Sequence, residues 1–65
     1  MDVEVTVVGE QSYEFNVTDE TYAELLNKIG LSPQEVSVLV DGRPVPEDER
    51  VDAEQITVLR LIQGG

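Results

Sequence analysis

The 65-residue sequence contains no cysteine, no histidine and no tryptophan. Thiol nucleophiles, zinc sites built on cysteine or histidine, and serine–histidine triads all need residues that are missing here. Ser12, Ser32 and Ser37 consequently have no base partner. Without cysteine no disulfide can stabilise the chain, which fits the reducing interior of a cell better than secretion. We therefore expect a cytoplasmic protein that is not an enzyme and has no catalytic residues.

Positive charge is also scarce, with 4 Lys and Arg against 14 Asp and Glu and a net charge of −10. Such a surface repels phosphate, so no nucleic-acid partner is expected. Two interpretations remain: docking onto a basic partner, or adaptation to high salt. At ~1 M salt the Debye length is only ~3 Å, so the repulsion among the acids is largely screened. The acids are scattered along the chain, which favours the second interpretation and a halophilic archaeon as the source.

Long apolar runs are absent as well, and none approaches the roughly 18 residues that span a membrane. The acidic, alternating start is not a signal peptide. A chain of this length buries only about 60% of its unfolded surface, so we expect one domain without a substrate cavity.

An acidic run could bind a hard cation but lacks calcium-loop spacing, so we interpret it as solvated and expect no metal; its members are Asp48, Glu49, Asp52 and Glu54.

Hydrophobic patterning predicts two strands and then a helix. Residues 2–8 and 13–17 alternate apolar and polar side chains, as in half-buried strands that form a hairpin. Thr21 with Glu24 fits a capping box, although Thr18 and Asp19 are rival N-caps. Apolar residues then recur at helical spacing up to Gly30, which is expected to end the helix in the left-handed conformation.

The second half of the chain predicts one helical turn and three more strands. Residues 32–35 fit a single turn with proline at its first position, and residues 36–40 form a strand. Asp41-Gly42 is typical of a type I′ turn into a short edge strand at residues 43–46. Residues 47–54 form an acidic loop and residues 55–62 the last strand. The order is ββαββ plus a final β, an α+β fold in which a sheet wraps one helix and the last strand lies beside the first.

Alternation assigns the two faces of this sheet. The predicted core consists of Val3, Val5, Val7, Phe15, Val17, Leu25, Leu26, Ile29, Val38, Val40, Ile56 and Val58. The same register puts four aliphatic residues on the outer face: Val8, Leu39, Leu59 and Leu61. With Arg60 nearby, these could form a docking patch, scattered exposed leucines or a self-association surface.

The sequence closes on Gly64-Gly65, directly after an apolar strand. Two residues without Cβ atoms can thread a narrow slot, so the terminal carboxylate is a candidate reacting group. We divide the chain into a domain at residues 1–61 and a flexible tail at residues 62–65.

The strand order and the closing residues LRLIQGG resemble ubiquitin-like modifiers and the related sulfur carriers. Residues 36–48 (VSVLVDGRPVPED) and 58–62 (VLRLI) resemble, more narrowly, the small archaeal modifier proteins of haloarchaea. The resemblance covers essentially the whole chain and implies a β-grasp fold with a mixed sheet. It also implies activation by an E1-like enzyme, which uses ATP to adenylate Gly65 beside Gly64; the chain itself holds no cofactor.

The resemblance implies two outcomes for the activated Gly65. A lysine of a target protein gives an isopeptide bond, which an isopeptidase would later cleave, whereas a sulfurtransferase route gives a thiocarboxylate for tRNA or molybdopterin-type cofactor thiolation. Leu39 and Leu59 match the family's recognition face, and Arg60 and Leu61 the tail that activating enzymes grip.

Three further expectations complete the interpretation. Family members often have a basic residue where this chain has Gln63, so self-modification must use Lys28, the only lysine, or the α-amine. The protein is expected to be a monomer that avoids membranes. The alternative from another class is a non-covalent interaction domain in which Gly64-Gly65 is incidental.

Overall fold

A computed structural model describes residues 1–61 of the chain and shows the predicted N-terminal hairpin. Strand β1 (Asp2–Val7) pairs antiparallel with β2 (Ser12–Asn16). Three valines of β1 are buried, while the polar residues between them are exposed. The predicted face assignment for β1 is therefore confirmed.

Helix α1 (Tyr22–Ile29) begins and ends as the sequence predicts. Thr21 is the N-cap, and its Oγ1 accepts a hydrogen bond from the Glu24 backbone N–H at 3.2 Å while the Glu24 carboxylate accepts from the Thr21 N–H at 2.9 Å. Gly30 follows with φ 91°, and the next N–H, of Leu31, donates to the Leu26 carbonyl at 3.0 Å. These bonds satisfy backbone groups at both helix ends, with Thr21 rather than Thr18 or Asp19 as the cap.

The remaining elements follow in the predicted order. A 3₁₀ turn (Pro33–Glu35) leads into β3 (Val36–Val40), β4 (Arg43–Pro44) and β5 (Gln55–Arg60). The turn between β3 and β4 has φ 54° at Asp41 and 77° at Gly42, as a type I′ turn requires.

The five strands form one mixed sheet in the order β2-β1-β5-β3-β4. Strand β5 is parallel to β1 and antiparallel to β3. The last strand thus lies beside the first, in the centre of the sheet, as expected. One sheet packed on one helix is the β-grasp arrangement, and the fold prediction is confirmed.

The core differs from the prediction in detail. Phe15, Ile29 and Val40 were expected inside but are only partly buried, because they lie at the margins of the cluster. The predicted list also omitted four residues that are buried: Tyr22, Leu31, Val36 and Val51. Tyr22 and Val36 are the first residues of α1 and β3 and continue their buried faces. Leu31 and Val51 lie in connections, whose burial alternation and helical spacing do not reveal.

Candidate functional site

The central strand β5 delivers the C-terminal segment to one end of the sheet. It ends at Arg60, and the next N–H, of Leu61, still donates to the Glu35 carbonyl at 2.8 Å. The last strand was predicted to reach residue 62 but ends at Arg60, since Leu61 is already outside it. The tail predicted at residues 62–65, with the expected reacting residues Gly64 and Gly65, lies outside the described residues. The described part of the site is therefore the surface from which this segment departs.

An apolar cluster, hereafter the apolar end, occupies the outer face of the sheet at that point. It comprises Val8, Leu39, Leu59 and Leu61. Ser37 lies opposite Leu59 and Thr57 opposite Leu39, so the two leucines are diagonal neighbours across β3 and β5, within reach of each other.

Val8 joins the apolar end because β1 runs parallel to β5. Its N–H donates to the Val58 carbonyl at 3.0 Å, which continues the β1–β5 ladder and sets Val8 beside Leu59. Val8 is 51% and Leu61 52% exposed, whereas Leu39 is half-buried. Val8 lies on the outer face, as its break of the β1 alternation predicts.

Arg60 does not belong to this surface, because its strand position alternates with that of Leu59. It lies opposite Val36, and its guanidinium pairs with the Glu10 carboxylate through Nε and through Nη2 at 3.2 Å. The bond to Glu10 raises the pKa of Arg60 above its usual value. The pair ties the end of β5 to the turn after β1 and so holds the start of the C-terminal segment.

Lys28, the candidate for self-modification, lies on α1, in the layer opposite the outer face. Its Nζ donates to Glu20 Oε2 at 2.7 Å. The same carboxylate accepts from the backbone N–H groups of Thr18 at 2.8 Å and Asp19 at 3.0 Å. Lys28 first, and then these N–H groups, lower the pKa of Glu20 to about 2. The ammonium of Lys28 therefore has a permanently ionised partner at neutral pH.

The described residues offer no metal-binding cluster. Between residues 1 and 61, no three His, Cys, Asp or Glu side chains are grouped so that they could hold a metal ion. No described helix is long and apolar enough to cross a membrane. What the described residues offer is an apolar surface at the end of β5.

Comparison with known proteins places this geometry in context. The family model for small archaeal modifier protein 2 matches residues 1–62. Small archaeal modifier protein 2 of Haloferax volcanii is 58% identical over the full length of both chains, and an uncharacterized protein of Archaeoglobus fulgidus is 33% identical over the full length of both.

Solved structures agree with this. The crystal structure of the Haloferax volcanii small archaeal modifier protein 2 superimposes with a TM-score of 0.73 at 56% identity, covering 97% of each chain. A computationally designed protein based on human erythrocytic ubiquitin superimposes with a TM-score of 0.71 at 19% identity, covering 98% of this chain and 95% of the design. The second match concerns the fold alone.

Proposed function

Because this chain belongs to the small archaeal modifier protein 2 family, we propose that it is a ubiquitin-like modifier whose Gly65 carboxylate is joined to lysines of target proteins. The observation that carries the proposal is full-length similarity to a modifier protein in a sequence that closes on Gly64-Gly65. The family consists of small modifier proteins rather than enzymes, so an enzyme of the E1 type must supply the chemistry.

The proposed reaction has two steps. The activating enzyme first joins the Gly65 carboxylate to the α-phosphate of ATP and releases pyrophosphate, because a carboxylate has no leaving group other than oxide. A deprotonated lysine amine of the target then attacks the acyl carbon, AMP departs, and an isopeptide bond remains. The domain contributes binding and orientation only.

The described surface supports a division of labour in this reaction. The apolar end, with Leu39 and Leu59, is the docking surface for the activating enzyme, since exposed aliphatic clusters mark interaction sites. The Arg60–Glu10 pair holds the base of the segment that enters the enzyme. Lys28 is engaged by Glu20 on the other layer, which favours lysines of other proteins as acceptors.

The experiment is a search for adducts in cells of a haloarchaeal host. Trypsin cuts after Arg60, so a modified target lysine carries the remnant Leu61-Ile62-Gln63-Gly64-Gly65 rather than Gly-Gly alone. We expect this remnant on target proteins, and its loss in a chain that lacks Gly64-Gly65. A Lys28→Arg variant identifies self-linkage, because it removes the only lysine of the chain.

The same search distinguishes the sulfur-carrier alternative. A thiocarboxylate exchanges one oxygen of Gly65 for sulfur, which intact mass measurement detects on the unconjugated protein. A sulfur-bearing chain without any lysine remnant would replace the modifier proposal by the carrier. Neither adduct, together with normal growth after removal of Gly64-Gly65, would contradict both and favour a non-covalent interaction domain.

A further inference from the structure

Strand β2 leaves one edge of the sheet open. Met1 and Val17 exchange both main-chain hydrogen bonds, each 2.8 Å, which defines the phase of the β1–β2 ladder. The backbone N–H and C=O groups of Tyr13 and Phe15 therefore pair with β1. The backbone groups of the alternating residues, Ser12, Glu14 and Asn16, point away from β1, toward the open edge. The opposite edge strand, β4, has only two residues, one of them proline.

An aromatic shelf lies on the inner face of the same strand. Tyr13 and Phe15 stack with ring centroids 6.3 Å apart and planes at 17°. Both rings pack against the core but stay partly exposed. A strand added to β2 would place alternate side chains over these rings and complete their burial.

On the outer face the same strand borders a group of acids, hereafter the acidic end. It comprises Asp2, Glu4, Glu14 and Glu54, which line a depression together with Val3, Phe15, Asn16 and Gln55. Glu4 and Glu14 lie directly opposite each other in a pair where side chains approach most closely. The Asp2 carboxylate accepts a hydrogen bond from the Asn16 side-chain amide at 2.9 Å. Two like charges face to face destabilise a sheet unless a cation joins them.

The cationic groups of residues 1–61 do not supply that cation: Arg43 lies on β4, at the other edge of the sheet, and the Met1 ammonium donates to the Val17 carbonyl. Within residues 1–61 the ion pairs of Lys28, Arg50 and Arg60 are made with Glu20, Asp19 and Glu10, none of which belongs to the acidic end. A bare metal ion does not fit either, since these acids form no described three-ligand group. A second copy would bring Glu14 against an equally acidic edge.

We propose that the β2 edge binds an extended basic segment of a partner protein as an added strand. Backbone groups of Ser12, Glu14 and Asn16 would pair with the segment, as in other cases of strand addition. Its Lys or Arg side chains would lie over the Glu4–Glu14 pair, and the alternating apolar side chains over the aromatic shelf. Because Gly65 plays no part, this binding is independent of the modifier function.

The test uses the ¹⁵N-labelled full chain and the synthetic peptide Lys-Val-Lys-Val-Lys-Val, in the lowest salt at which the protein is folded. We expect chemical-shift changes confined to β2 and its aromatic shelf, with slower hydrogen exchange at the Glu14 amide. A peptide N-methylated at every backbone nitrogen donates no main-chain hydrogen bond on either side and should not bind. Equal binding of both peptides would contradict strand addition.

Protein variants test the charge complementarity separately. The double variant Glu4→Gln/Glu14→Gln should weaken binding about tenfold, the effect of two surface ion pairs. Glu47→Gln/Asp48→Asn removes the same charge from an exposed loop and should leave the affinity unchanged. Equal weakening in both variants would show attraction to the net charge only and overturn the proposed site, as would shift changes centred on Leu39 and Leu59.

Discussion

The outer face of the sheet has two ends of opposite chemistry. The acidic end lies where β1 begins, with Glu4 opposite Glu14, and the apolar end lies where β1 and β5 finish, with Val8 beside Leu59. Strands β1 and β5 run from one end to the other, while β2 contributes only to the acidic end and β3 only to the apolar end. A sheet of this size can therefore carry two contact surfaces, because the residues on one face of a strand change from charged to aliphatic along its length.

The two ends also differ in what lies next to them. The apolar end includes Leu61, the last described residue, whereas the acidic end adjoins the edge strand β2. An activating enzyme that docks on the first would leave the second accessible. The comparison can be tested by changing each end and measuring stability and function separately.

The largest stability effect should come from the inner face of the sheet, which packs on the core. Val58 is completely buried between β1 and β3, so Val58→Ala removes two methyl groups from a closed site and should reduce the free energy of unfolding by about 2–3 kcal/mol. Leu59→Ala, one residue along and 37% exposed, should reduce it by less than about 1 kcal/mol. Urea unfolding at constant high salt measures both, and equal losses would contradict the register.

A functional effect should separate the two ends. Leu39→Ser/Leu59→Ser should slow ATP-dependent activation of Gly65 about tenfold, as loss of a central apolar contact typically does, while the domain stays folded. The matched change at the acidic end, Glu4→Gln/Glu14→Gln, should leave the activation rate unchanged. The measurement is single-turnover adenylation by the cognate activating enzyme. Slower activation only in the glutamine variant would reverse the assignment of the two ends.

The smallest effect should have opposite signs for two carboxylates, the exposed Glu14 and the half-buried Glu20. Glu14→Gln relieves the like-charge pair with Glu4 and should raise the free energy of unfolding by roughly 0.2–1 kcal/mol in low salt. The gain should shrink toward zero at about 1 M salt, where the Debye length is about 3 Å. Glu20→Gln should instead lower stability at neutral pH, because Glu20 faces Lys28.

The Glu20 effect also has a defined pH dependence. The pKa of Glu20 is lowered from 4.5 to about 2 in the folded protein, so its ionised form stabilises the fold above pH 4.5. This stabilisation is lost as the pH falls from about 4.5 to about 2. Thermal melts of the natural chain and of Glu20→Gln should therefore converge over that range. A difference that persists below pH 2 would show that Glu20 acts through packing instead.

Local patterns predicted the elements well because each depends on nearby residues. The capping box at Thr21 and Glu24, the left-handed Gly30 and the Asp41-Gly42 turn all depend on interactions within a few positions. The alternation of β1 likewise assigned its buried face. The partial exposure of Phe15 and the burial of Val51 were missed, because both depend on how strands and loops cover one another.

The candidate site could be predicted only in part. The resemblance pointed to Leu39, Leu59 and the C-terminal residues, but strand alternation separates Arg60 from the apolar end and the β1–β5 ladder adds Val8 to it. No local signal links Arg60 to Glu10, because fifty positions separate them. Such pairs follow from strand order, which sequence periodicity does not encode.

The sequence by itself determined which chemistry the protein lacks, where its helix starts and stops, and which residues of each strand face inward. Composition excludes reactions outright, and local hydrogen bonds and side-chain alternation depend on neighbours in the chain. Only the tertiary structure decided that Leu39 is a diagonal neighbour of Leu59, that Glu4 lies opposite Glu14 and that Lys28 donates to Glu20. These contacts join segments far apart in sequence or on different elements, so packing of the whole sheet and helix had to select them.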